Sequence, residues 1–84
     1  MRVRKKEGKE EDFMREKIVV SIVKAGGRPD LARSIAQEVE TSLSRNASVT
    51  TEQIRTEVFS RLQSRDAKTY NSWLEYDRQN KSRS

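Results

Sequence analysis

Along most of this chain, apolar residues recur at intervals of three and four. Ile18, Ile22 and Ala25 share one helical stripe that Val19 and Val23 widen, which predicts a first helix over residues 15–25. Leu31, Ile35, Val39 and Leu43 mark a second stripe at i, i+4 spacing. Ala32 and Ala36 beside it are small enough to admit a close neighbour, and the helix is predicted over 29–44. Ile54, Val58, Phe59 and Leu62 predict a third helix ending near residue 65; Ala67, Tyr70, Trp73, Leu74 and Tyr76 predict a fourth. The junctions carry their own signals. Ala25-Gly26-Gly27-Arg28-Pro29 reads as a helix stop, a turn and a helix start with proline at the first helical position. Thr50 and Gln53 fit a capping box, and Asp66 is placed to cap the fourth helix.

Residues 1–13 lack the helical period and read as a β-hairpin around Gly8. A two-residue loop, Glu7-Gly8, would pair Arg4 with Glu11 but put Val3 and Phe13 on opposite faces. A three-residue loop, Lys6-Glu7-Gly8, is a type I turn followed by glycine in the left-handed region. It pairs Lys5 with Lys9, Val3 with Glu11 and Met1 with Phe13, and it is preferred because Val3 and Phe13 can then both face a core. Val49, in the break 45–50, can add a short third strand to what would otherwise be a marginal ribbon. The expected fold is α+β, mostly α: a four-helix bundle capped by a small antiparallel sheet of three or two strands. The domain is expected over residues 1–77, with 78–84 a polar, basic tail that frays.

Charge changes this picture in one place. The chain is +5 overall, with no cysteine and no histidine. That removes disulfides, thiolate nucleophiles, the commonest general base and the commonest transition-metal ligand. Anionic partners are favoured. The preferred register sets Lys5 directly across from Lys9, a repulsive pair unless both splay into water or an anion lies between them. The first helix begins after Met14, which cannot cap it, and carries Lys17 in its first turn against the helix dipole. Basic hairpin and uncapped amides together suit a nucleoside triphosphate. No Gly-x-x-x-x-Gly-Lys-Ser/Thr loop is present, so the Gly26-Gly27 pair reads as a turn. The aromatic cluster of the fourth helix could stack on a base, but its helical spacing favours a core.

Val3-x-Lys5-Lys6-Glu7-Gly8-x-x-Glu11-x-Phe13-x-x-x-Lys17-Ile18 resembles the opening of the ATP-cone domain. Val49-Thr50-Thr51-x-x-Ile54 and Asp66-Ala67-x-x-Tyr70 are similar to its second half, so the resemblance spans nearly the whole chain. Glu7 stands where the family pattern has Asp, and Met14 where a small polar residue is common. ATP-cones occur as regulatory modules of ribonucleotide reductases and in a zinc-ribbon repressor of reductase genes. The resemblance implies a sheet lid over a helical bundle, with ATP or dATP, accompanied by Mg2+, bound between them. By position it assigns Lys5 and Lys6 to the phosphates and Lys17 to phosphate or ribose. Glu11, Asp12, Phe13, Met14, Arg15 and Glu16 would line the nucleotide, and Thr51 and Arg55 would complete the pocket. It also suggests a basic contact late in the fourth helix, near Lys81 and Arg83.

The expected function is therefore a stand-alone, cytoplasmic nucleotide-sensing module that acts in trans on a partner protein or through self-association. The alternative is a small nucleic-acid-binding or transcription-regulatory domain, supported by the basic arm 2–6 and the tail 78–83 but not by any concentrated basic helix face. An enzyme is not expected, for want of a nucleophile–base pair, a metal cluster or a phosphate loop. No membrane span is expected either.

Overall fold

Two short strands, β1 (Arg2–Arg4) and β2 (Glu10–Asp12), form the N-terminal hairpin of the computed structural model, which describes residues 1–81. Val3 pairs with Glu11, the Lys5 amide donates to the Lys9 carbonyl at 2.8 Å, and Phe13 donates to Met1. This is the register with the three-residue loop, and Gly8 turns it at a φ of 87°. Helices α1 (Arg15–Lys24) and α2 (Pro29–Leu43) follow, then β3 (Ser48–Thr50), α3 (Thr51–Arg65) and α4 (Ala67–Lys81). The tail expected to fray is thus helical as far as Lys81. Its last residues, 82–84, including Arg83, lie outside those described.

The sheet is mixed rather than antiparallel. β3 lies against β1, parallel to it, giving the order β2-β1-β3. Its direction follows from the connection. The chain leaves β2 at Asp12 and re-enters β3 at Ser48, and both residues stand level with Arg2. The pair α1 and α2 returns the chain to the end of the sheet it left, so β3 must run with β1. Joining β1 rather than β2 sets Val49 beside Val3, both buried. The acidic strand Glu10-Glu11-Asp12 is left at the edge, where charge discourages further pairing.

Each helix junction is fixed by local chemistry. Gly26, at a φ of 98°, closes α1, with its amide donating to Val23 and that of Gly27 to Ile22. Thr50 and Gln53 make both halves of the capping box at the start of α3. The Asp66 carboxylate accepts from the Thr69 amide and hydroxyl and so caps α4. The helices pack α1 on α2 and α4, and α3 on the same two. Ile22, Ile35, Val39, Val58 and Leu62 are fully buried between them. Val23, expected on the core face of α1, is exposed instead. Trp73 packs edge-on against Phe59, which also meets Tyr70. The α4 aromatics are thus largely core.

Candidate functional site

The hairpin register decides which side chains look inward. Cross-strand partners share a face, so burying Val3 turns Lys5, Glu11 and Phe13 toward the helices as well. Below them lies a cavity of about 260 Å3. Met14, Lys17, Ile18 and Ser21 of the β2–α1 junction and α1 form one wall; Thr51, Ile54, Arg55 and Val58 of α3 form another; Trp73, Tyr76 and Asp77 of α4 close it. Its lining is mostly apolar, and its charged residues come from the hairpin (Lys5, Glu11, Asp12), the first turn of α1 (Lys17), α3 (Arg55) and α4 (Asp77). A second cavity of about 470 Å3 adjoins it, sharing Lys5, Thr51, Arg55 and Asp77 and adding Lys6, Glu7 and Glu52. Small-molecule sites commonly measure about 300–1,000 Å3, a range the two together reach.

Most of the charged groups are paired with one another. Glu11 takes Lys17 at 3.0 Å and Lys5 at 3.5 Å, joining hairpin to helix. The Lys17 hydrogen bond, ahead of the opposing cost of desolvation and the attraction of both lysines, holds the Glu11 carboxyl below its ordinary pKa. Asp12 pairs with Arg2 at 2.6 Å. Arg55 donates through Nε and Nη2 to one oxygen of Asp77, at 3.0 and 2.8 Å, and through Nη1 to Glu52 at 2.9 Å. The start of α1 has no side-chain cap, so its first amides are left for solvent or a ligand.

Of the residues predicted for the site, Lys5, Glu11, Asp12, Phe13, Met14, Lys17, Thr51 and Arg55 line the first cavity, and Lys6 the second. Arg15 and Glu16 are not brought there. They point across to α2, Arg15 to Glu40 at 3.3 Å and Glu16 to Arg33 at 3.0 Å. The helical period explains this, since consecutive residues of a helix turn away from one another. The sequence reading did not assign Ser21 or Asp77 to the site, and it favoured a core role over base stacking for Trp73 and Tyr76, which also line the cavity. Ser21 lies four residues beyond Lys17 and accepts the Trp73 Nε1–H at 3.1 Å. Trp73, Tyr76 and Asp77 follow i, i+3, i+4 spacing, so the face was readable. That it borders a cavity depends on where α4 packs.

The family model described as the ATP cone domain matches residues 1–82. A comparison with curated proteins returns no match.

Proposed function

The chain belongs to the ATP-cone family, and on that premise we propose that it senses ATP or dATP between its sheet and its helices. ATP-cones are regulatory, nucleotide-binding modules rather than enzymes. One observation carries the assignment of the site: a mostly apolar cavity shares Lys5, Thr51, Arg55 and Asp77 with a second cavity that adds Lys6. In this reading the base sits among Phe13, Ile18, Ile54, Val58 and Trp73, and the phosphates lie toward Lys5, Lys6, Lys17 and Arg55. A triphosphate carries about four negative charges, and charge-assisted hydrogen bonds are the stronger kind. Of the nearby carboxylates, Glu11, Asp12, Glu52 and Asp77 are engaged by Lys5, Lys17, Arg2 and Arg55, and Glu7 is exposed on the hairpin turn. A Mg2+ ion would be held chiefly by the phosphates themselves, as suits an ion that keeps much of its water.

Regulation requires a second site whose equilibrium the ligand shifts, so the output is assigned to another protein surface, a partner's or a second copy's. Calorimetric titration with ATP, dATP and AMP tests the binding step. ATP at a hundredfold above its Kd should stabilise the fold by about 2.7 kcal/mol, and both Lys5→Ala and Lys17→Ala should weaken it. Unchanged melting in millimolar ATP and dATP would refute the reading.

A further inference from the structure

The Arg55–Asp77 pair stands in the path that the phosphates would take. Both side chains are about four-fifths buried, at 20% and 22% exposure, and both border the two cavities. The guanidinium edge formed by Nε and Nη2 is committed to Asp77. An arginine fork fits carboxylate and phosphate alike, so the two compete for it. Glu52, the other acid on Arg55, is on the same helix, 56% exposed, and can swing into water. Asp77 lies one turn beyond Trp73, the last buried residue of α4 among those described. The pair ties the end of α4 to α3; when Asp77 leaves Arg55 that tie is broken, and if it stays, its charge faces the incoming phosphates.

We propose that Asp77 is an internal competitor for Arg55: a triphosphate displaces its carboxylate from the guanidinium, and this exchange loosens the last turns of α4. The ligand's signal then leaves the site through the end of that helix. This rests on the nucleotide-binding reading above.

Titrations of wild type, Asp77→Asn and Glu75→Gln with ATP and AMP provide the test. Trp73, the single tryptophan and part of the cavity wall, supplies a fluorescence readout beside calorimetry. Asp77→Asn should bind ATP about fivefold tighter and leave AMP nearly unchanged, because only the longer phosphate chain reaches Arg55. Glu75→Gln removes the same charge from an exposed position on α4 and should change ATP affinity less than about twofold. In the wild type, amide exchange over residues 74–81 should quicken when ATP binds, a readout that needs no variant to fold. If Asp77→Asn binds ATP equally or more weakly, or matches Glu75→Gln, or if exchange over 74–81 slows or stays constant, the competition is overturned while the binding site survives. No response of the wild type to either nucleotide removes both.

Discussion

Glu11 decides how much positive charge the first cavity presents. Its carboxylate lies between Lys5 and Lys17 and neutralises a meeting of like charges that the hairpin and helix would otherwise impose. Because the folded-state pKa is lowered below the ordinary 4.5, the stabilisation is fully present above that value and is lost as pH falls through the lowered one. Glu11→Gln should therefore destabilise the protein at pH 7, by at most about 1 kcal/mol given the exposure of all three groups, and the gap should be smaller at an acid pH below the ordinary carboxylate range. Paired urea titrations at the two pH values measure it, and an equal gap at both would contradict the role. Glu38 and Asp66, held low chiefly by Arg65 and by the Thr69 hydroxyl, titrate in both proteins and cancel from the difference. The facing of Lys5 and Lys9 was legible from the turn chemistry around Gly8. The sharing of Glu11 by Lys5 and Lys17 was not, because the reach from strand to helix depends on the angle at which α1 departs from Phe13 and Met14.

At the level of elements, the parts that local chemistry controls were legible and the parts that packing controls were not. Thr50 and Gln53 announce the start of α3, and both hydrogen bonds form, at 3.1 and 2.8 Å. Thr50→Ala should cost about 1 kcal/mol, lowering Tm by about 4–8 °C in a domain of this size, and Thr50→Ser should recover most of it. A scan showing no loss for Thr50→Ala would mean that β3 alone sets this junction. The two glycines between α1 and α2 look alike in the sequence but do different work. Gly26 supplies the left-handed φ. Gly27 supplies space: a Cβ there would come within 2.6 Å of Ile22 Cγ2 and 3.0 Å of both the Ile22 carbonyl oxygen and Thr69 Cγ2. Since the carbonyl cannot step aside, Gly27→Ala should cost about 1–3 kcal/mol by overpacking, measured by chemical denaturation; a neutral result would show that the turn shifts away from both Ile22 and Thr69. The edge chosen by β3 belongs with Gly27. Its short strand was readable around Val49, but joining β1 depends on burying Val49 beside Val3 across more than forty residues of chain.

Across the whole molecule, charge and stability reside in different places. The core from Ile22 to Trp73 is apolar, whereas Arg2, Arg15, Arg33, Arg61 and Arg65 are spent on carboxylates of neighbouring elements at the surface. A net charge of +5 therefore does not gather into one unpaired basic face on those arginines. This is why composition alone could not separate nucleotide from nucleic acid. Lys5, Lys6, Lys17 and Arg55 border the two cavities between sheet and helices. Salt should accordingly act unequally on fold and ligand. Exposed pairs contribute about 0–1 kcal/mol each, and raising salt from 0.1 to 1 M shortens the screening length from about 10 to about 3 Å while leaving apolar burial intact. The melting temperature should move by only a few degrees, roughly 1 kcal/mol or less on the usual scale for small domains. ATP affinity, which depends on several cations meeting a polyanion, should fall by more than about tenfold over the same range, and AMP affinity by much less. Thermal melts and titrations on the same salt series would measure both. A collapse of Tm with salt would place the stability in the ion pairs instead, and equal salt slopes for ATP and AMP would mean that the phosphate chain does not reach Lys5, Lys6 and Arg55.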